Sequence, residues 1–326
     1  MKATVPLETG EGSITTNIGA VRNTGIELGL NLGVIRNKNF TWDVNLAFAR
    51  NWSKITELPN GDDVSNNWFI GERLNVLRDY TSAGIITTDG ITMRTKDGDR
   101  HYTLQEVYDT FGPGGQGLKW YEGQMAVNDW NNDGKINDED KQIFGCTDPK
   151  WTGSLSSTMT YKGFDFSFML YTKQGQWSRS YFHEQYMNYG DRGRQKVNFD
   201  YYIPAGTPVL DKNTGDVTYL SEAHIGKYPY PNNTEKTGGG YFSSSSAAVR
   251  YHKTSFVKVK NITLGYTFPK AWLSKIAVKH LRLYVNVINP FCFTDYEGFD
   301  PEWASANLTN GGPASVTYQI GANIKF

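Results

Sequence analysis

A strict period-two alternation over the last nine residues constrains this chain more than any other feature. Tyr318, Ile320, Ala322, Ile324 and Phe326 alternate with Gln319, Gly321, Asn323 and Lys325, which gives a single β-strand one apolar and one polar face. The stretch stops on an aromatic residue without a polar tail. A soluble sandwich usually tucks a terminal strand between others or trails polar residues. A transmembrane β-barrel asks for strands of about 9–11 residues, apolar towards lipid, polar towards the lumen and aromatic at the interface. The second solvent suits this ending better.

The same alternation recurs along the chain. Ile26, Leu28, Leu30, Leu32 and Val34 oppose Glu27, Gly29, Asn31 and Gly33. After the turn Arg36-Asn-Lys-Asn39, a return strand sets Phe40, Trp42, Val44, Leu46 and Phe48 against Thr41, Asp43, Asn45 and Ala47. These make a hairpin. A soluble antiparallel sheet with one wet face would alternate in the same way. The clearest hairpin joins Trp151–Tyr161, with a hydroxyl face of Thr152, Ser154, Ser156, Thr158 and Thr160, through Lys162-Gly163 to Phe164, Phe166, Phe168 and Leu170. Further strands are expected at Phe256–Phe268, at Leu281–Val287 closed by Asn289-Pro-Phe, and at the terminus. Seven strands are therefore expected, and up to ten counting weaker segments at Asp79–Thr88 and Gly90–Thr95, with a short helical turn at Thr103–Tyr108.

Composition agrees. The chain is 38% hydrophobic with a mean hydropathy of −0.53, and no run reaches the ~20 apolar residues of a spanning helix. Barrel strands escape that test because they average out polar. The 14% aromatic content suits interfacial girdles or a sugar-binding surface, and a net charge of zero gives no case for nucleic acid. Cys146 and Cys292 read as incidental thiols or a single bridge, with no metal spacing. The N-terminus lacks the apolar core of a signal peptide, so an exported barrel with this start is expected to be a fragment.

Asp129-Trp-Asn-Asn-Asp-Gly-Lys-Ile-Asn-Asp-Glu-Asp140 has EF-hand-type spacing. Side-chain oxygens stand at Asp129, Asn131 and Asp133, a backbone carbonyl at Lys135, and further donors at Asn137 and Asp140, with Gly134 at the sharp turn. A structural Ca2+ wants such converging oxygens. An Asn/Asp-rich turn held by its own side chains would look alike. Between Trp177 and Lys253 lies a long aromatic stretch carrying Trp177, Tyr181, Tyr186 and Tyr189. It reads as a functional loop, since disordered tracts are poor in aromatics. Its rings would stack on substrate, meet a partner or pack on one another.

Several motifs occur here in one order. They are Asn23-Thr-Gly-Ile-Glu-Leu, the Asp-rich loop followed by Asp148-Pro-Lys-Trp-Thr-Gly, and Tyr161-Lys-Gly-Phe-Asp-Phe. Then come Val259-Lys-Asn-Ile-Thr-Leu-Gly-Tyr, Leu281-Arg-Leu-Tyr-Val-Asn-Val-Ile-Asn-Pro-Phe, Phe299-Asp-Pro-Glu and the final Phe326. In this the chain resembles the C-terminal part of a SusC/RagA-type TonB-dependent outer-membrane transporter of Bacteroidetes.

The resemblance implies one all-β unit over residues 1–326. It would be the C-terminal portion of an antiparallel transmembrane barrel of about 22 strands, with long extracellular loops, in a Gram-negative outer membrane. It implies import of glycan or peptide, a SusD-like surface lipoprotein as partner, and TonB acting through a plug, TonB box and signal peptide that this stretch does not contain. Tyr318, Ile320, Ala322, Ile324 and Phe326 would be the barrel-assembly signal. An incomplete barrel leaves strand edges unpaired in lipid, so the stretch alone is not expected to transport. Two other classes stay open: a small complete porin or adhesin barrel, and a secreted, calcium-stabilised carbohydrate-binding β domain. No catalysis is expected. Glu184, Asp191, Asp295 and Glu297 are available, but nothing pairs them across a cleft as a glycosidase needs.

Overall fold

Seven strands alternate in the sequence, and the same seven make one sheet. The computed structural model describes residues 2–4, 13–15, 19–112, 117–186, 200–211, 213–230, 250–274, 277–305 and 315–326. The strands are β1 (Ala20–Arg36), β2 (Phe40–Glu57), β3 (Trp151–Tyr161), β4 (Phe164–Gln174), β5 (Phe256–Thr267), β6 (His280–Thr294) and β7 (Thr317–Lys325). Each pairs antiparallel with its neighbour in sequence, in the order β1 to β7. An 11-residue strand runs about 36 Å, and tilted by ~45° it crosses about 25 Å of hydrocarbon.

Register carries the alternation across the whole sheet. Leu30, Leu46, Leu155 and Leu170 stand in one cross-strand row. Phe166, Leu264, Val285 and Ile320 stand in another. On this face Leu28, Phe293 and Ile320 are 62%, 62% and 87% exposed, a continuous apolar surface that only a hydrocarbon solvent or another apolar surface accommodates. Polar side chains interrupt it in places, Ser157 among them. Ser157 is buried there, and its hydroxyl accepts the Trp42 indole N–H at 2.9 Å.

The opposite face is polar. Thr41 and Thr160 bond through their hydroxyls, Asn286 bridges Thr263 and Gln319, and Arg36–Asp43 and Arg282–Asp165 pair at 2.8 Å. Glycines make room for these groups. A Cβ on Gly265 would lie 2.5 Å from Asp165 Oδ1, and one on Gly321 would lie 2.3 Å from the Tyr284 ring.

One strand runs longer than the sequence pattern indicates. Asn289-Pro290 does not close β6; pairing resumes with Phe291 opposite Val259 and continues to Thr294 opposite Phe256. Asn289 adopts φ 53°, and together with Pro290 it stands opposite Lys260 alone. This bulge absorbs a proline that cannot donate to the ladder.

Short and long connections alternate by rim. Residues 37–39, 162–163 and 268–279 join strands at one rim; residues 58–150, 175–255 and 295–316 join them at the other. The first long connection has its own core, in which Ile86, Met93, Tyr102, Val107, Tyr121 and Val127 are buried. The expected strand Asp79–Thr88 is two strands instead. Val76–Asp79 pairs with Gln142–Cys146, and Ser82–Ile85 with Met125–Val127. Gly84 at φ 111° marks the irregularity. Gly90–Thr95 appears as Ile91–Thr95, hairpinned to Gly98–Tyr102. The helical turn is a full helix, Leu104–Phe111, started by a Thr103/Glu106 capping box and anchored by Val107 and Phe111. Cys146 and Cys292 are free thiols, the first buried and the second exposed.

Candidate functional site

The chemistry-bearing residues collect at the long-connection rim. Residues 129–140 form a tight loop with Asn132 at φ 62° and Gly134 at φ 78°. The Asp129 carboxylate, fully buried, accepts the Gly134 N–H at 2.9 Å and the Asp133 N–H at 3.2 Å. Asn131 and Asp133 accept the N–H groups of Asp133 and Lys135, and Asn137 accepts that of Glu139. Asp140, also fully buried, accepts from Asn131 and Asn137. Burial, with a smaller push from Asp129, raises the Asp140 pKa above its ordinary value. Among the described residues no three carboxylate, histidine or cysteine side chains gather as a metal cage. Backbone N–H groups of the loop bond its own side-chain oxygens, as in an Asx-type turn. Lys135 contributes its backbone N–H to these bonds.

The aromatic stretch is packed on the molecule's own residues where it is described. Trp177 meets Phe144 edge-on at 5.5 Å, lies under the Lys253 ammonium at 5.6 Å, and presses on Gly145, where a Cβ would come within 2.7 Å. Tyr181 is half-buried and receives the Arg179 guanidinium over its ring. The side chain of Tyr186 and all of Tyr189 lie outside the described residues.

Two buried polar networks, neither marked by spacing in the sequence, hold the long connections together. In the first, the Ser180 hydroxyl bridges His183 Nδ1 and the Tyr296 hydroxyl, each at 2.6 Å. His183 stacks on His252 at 3.6 Å, and Tyr228 donates its hydroxyl proton to Glu297. Burial, with His252 beside it, lowers the His183 pKa to about 3, so the ring is neutral. Ser180 and His183 are fully buried; the serine is enclosed between a ring nitrogen and a phenol, and the pair works as a joint rather than as a nucleophile and base.

In the second network, Lys258 donates to both Asp300 oxygens at 2.9 Å and to Glu302, which Lys260 also reaches at 2.7 Å. Lys258 and Asp300 are 2% and 7% exposed. Burial acts to raise the Glu302 pKa, but hydrogen bonds from the two lysines outweigh it and hold the carboxyl below its usual range. The cluster pins residues 300–302 against the polar face of β5. Its signal was present in the sequence: Phe256-Val-Lys-Val-Lys puts two cations inside a spanning strand, where they require partners.

The terminal strand carries Tyr318, Ile320, Ala322 and Ile324, and Phe326 follows directly after its last residue, Lys325. Ile320 pairs opposite Val285, Tyr318 opposite Val287 and Ile324 opposite Leu281, all on the apolar face. Lys279 holds the last residue with its N–H on the Lys325 carbonyl and its ammonium on the Phe326 carbonyl.

No family model matches the chain. It is 28% identical over 351 residues to TonB-dependent receptor P39 of Formosa agariphila, covering 99% of this chain and 32% of that protein. It is likewise 28% identical to TonB-dependent receptor SusC of Bacteroides thetaiotaomicron, covering 99% and 28%. The chain therefore spans about a third of the length of the curated relatives it matches. Among solved structures it superimposes on the RagAB peptide transporter with a TM-score of 0.63 at 18% identity, covering 99% of this chain and 31% of that one. The RagAB peptide importer in its open-open state gives a TM-score of 0.61 at 19% identity.

Proposed function

We propose that this chain, which has the sequence and fold of a segment of a SusC/RagA-type TonB-dependent barrel in the outer membrane, serves import of glycans or peptides. The observation that carries this reading is the seven-strand meander with an exposed apolar face and a hydrogen-bonded polar face, matched over 99% of the chain by TonB-dependent receptor SusC and by the RagAB peptide transporter. In such a barrel β1 and β7 meet further strands, because their free edges cannot face hydrocarbon unpaired. The long-connection rim faces outwards and takes a SusD-like lipoprotein. Energy comes from TonB through parts of the transporter other than these seven strands. Packing of Trp177 and Tyr181 on their own neighbours supports a framework role for these two rings.

A second reading concerns the Asp129–Asp140 loop. Asp129 and Asp140 are fully buried carboxylates with no lysine or arginine at salt-bridge distance among the described residues. Buried charge of that kind calls for a cation. A structural Ca2+ held by Asp129, Asn131, Asp133, Asn137, Asp140 and the Lys135 carbonyl answers it.

Uptake tests the main reading. Cells with this gene deleted are given labelled oligosaccharides and labelled peptides separately, and one of the two uptakes falls to background and returns on complementation. Unchanged uptake of both removes the importer assignment.

A further inference from the structure

The polar groups at the short-turn rim are sorted by sign. The chain as a whole is neutral, yet the three short turns hold Lys38, Lys162, Lys270, Lys275 and Lys279 and no Asp or Glu. The acids on the strand ends nearest them, Asp43 and Asp165, are consumed by Arg36 and Arg282 on the polar face. Lys38, Lys162, Lys270 and Lys279 are exposed; the first three have no Asp or Glu within salt-bridge distance among the described residues, and the Lys279 ammonium bonds the Phe326 main-chain oxygen at 3.0 Å.

Their setting is the lipid interface. The Lys162 ammonium sits 5.2 Å above the ring of Tyr161, which belongs to the apolar face and is 49% exposed. Phe164 meets Tyr266 at a tilt with ring centroids 4.5 Å apart, and Trp272, 61% exposed, stands close to Lys270 on the β5–β6 connection and near Phe268. Aromatic rings at this level mark the boundary between hydrocarbon and headgroups. Ammonium groups on flexible stems just beyond them reach the phosphate plane.

We infer that this rim is a binding surface for the phosphate headgroups of anionic phospholipids in the facing leaflet. Lys38, Lys162, Lys270 and Lys279 supply the charge, and Tyr161, Phe164 and Trp272 fix its depth. The inference uses the barrel reading and not the import reading, so an uptake defect and a lipid defect are separable.

The full transporter carrying this chain, purified in mild detergent, is titrated with phosphatidylglycerol and with phosphatidylcholine, and bound lipid is counted by native mass spectrometry. Phosphatidylglycerol binds preferentially. Replacing all four lysines by Gln weakens it by about fivefold per lysine and abolishes the preference, while the matching Arg variants keep it. Lys162→Asn, which tolerates the local φ of 46°, shows the single-site loss if the fourfold variant fails to assemble. Equal phosphatidylglycerol binding by the Gln variants and the unaltered protein overturns the proposal. So does displacement of the lipid by an equal concentration of inorganic phosphate, which would make the rim a free-anion site.

Discussion

Lys258→Met removes the one cation at salt-bridge distance from Asp300 among the described residues, and its consequence is large and local. Lys258 is 2% exposed and gives three hydrogen bonds, two to Asp300 and one to Glu302. Glu302 retains Lys260, but the carboxylate of Asp300, 7% exposed, keeps only the Glu302 N–H among the described residues. Breaking a buried pair from one side costs about 3–5 kcal/mol, because the remaining charge stays desolvated. Replacing both partners by apolar groups costs far less. The barrel wall is held by its ladder, so the loss falls on the docking of residues 295–305 to β5. Hydrogen exchange in detergent at the Glu302 and Trp303 amides reads it directly: protection falls by at least about 100-fold, since 1.36 kcal/mol is a factor of ten. The Lys258→Met/Asp300→Leu double variant recovers most of that protection. A drop below about fivefold, or additive losses in the double variant, refutes the reasoning by showing that the cluster is hydrated.

The other outcomes can be read in the same preparation. Asp140 has a raised pKa in the folded loop; its contribution is therefore greatest below its unfolded pKa near 3.8 and is lost as pH rises through the folded value. Without calcium the exchange protection of residues 129–140 falls on going from pH 4 to pH 7, and 1 mM Ca2+ restores it at pH 7; no calcium effect speaks for the self-bonded turn. His183, with its pKa held near 3 by burial, contributes stability present above the unfolded value of about 6.5 and lost as pH falls towards 3. Acid should loosen the joint between residues 180–183 and 296–297, while His183→Phe flattens that pH dependence in limited proteolysis. Trp42→Phe strands the Ser157 hydroxyl on the apolar face and costs about 1–2 kcal/mol, and adding Ser157→Ala recovers it in urea unfolding from detergent.

Spanning strands were legible because two solvents impose period two on every one of them: Leu155 and Ser156 cannot exchange faces without exposing one to the wrong medium. What escaped depended on partners distant in sequence. Asn289-Pro290 looks like a stop when read locally, and only the single residue Lys260 opposite turns it into a bulge. Tyr80 to Thr88 carries apolar residues with no second solvent to order them, and its two halves follow different partners. Lys258 and Asp300 are 42 residues apart, and Ser180 and Tyr296 are 116 apart; no spacing rule joins them. The Asp129–Asp140 loop was legible as a turn, because its oxygens and its glycine act within a few residues of each other.

The closed base of the 58–150 connection bears on how the sheet assembles. β2 and β3 meet with Leu46 against Leu155, a contact that would ordinarily require a long flexible loop to be closed first. Here the connection closes on contacts of its own. Val76–Asp79 is zipped to Gln142–Cys146, the Thr147 N–H bonds the Asn75 carbonyl, and Arg73 clasps the carbonyls of Asp148 and Pro149. Once that small core has formed, the ends of β2 and β3 are neighbours. The search for their register then becomes a local event like that of a hairpin, with the loop-closure entropy already met outside the membrane. Damage to the Arg73 clasp should therefore show itself as slow membrane assembly, in a protein whose finished wall is unchanged.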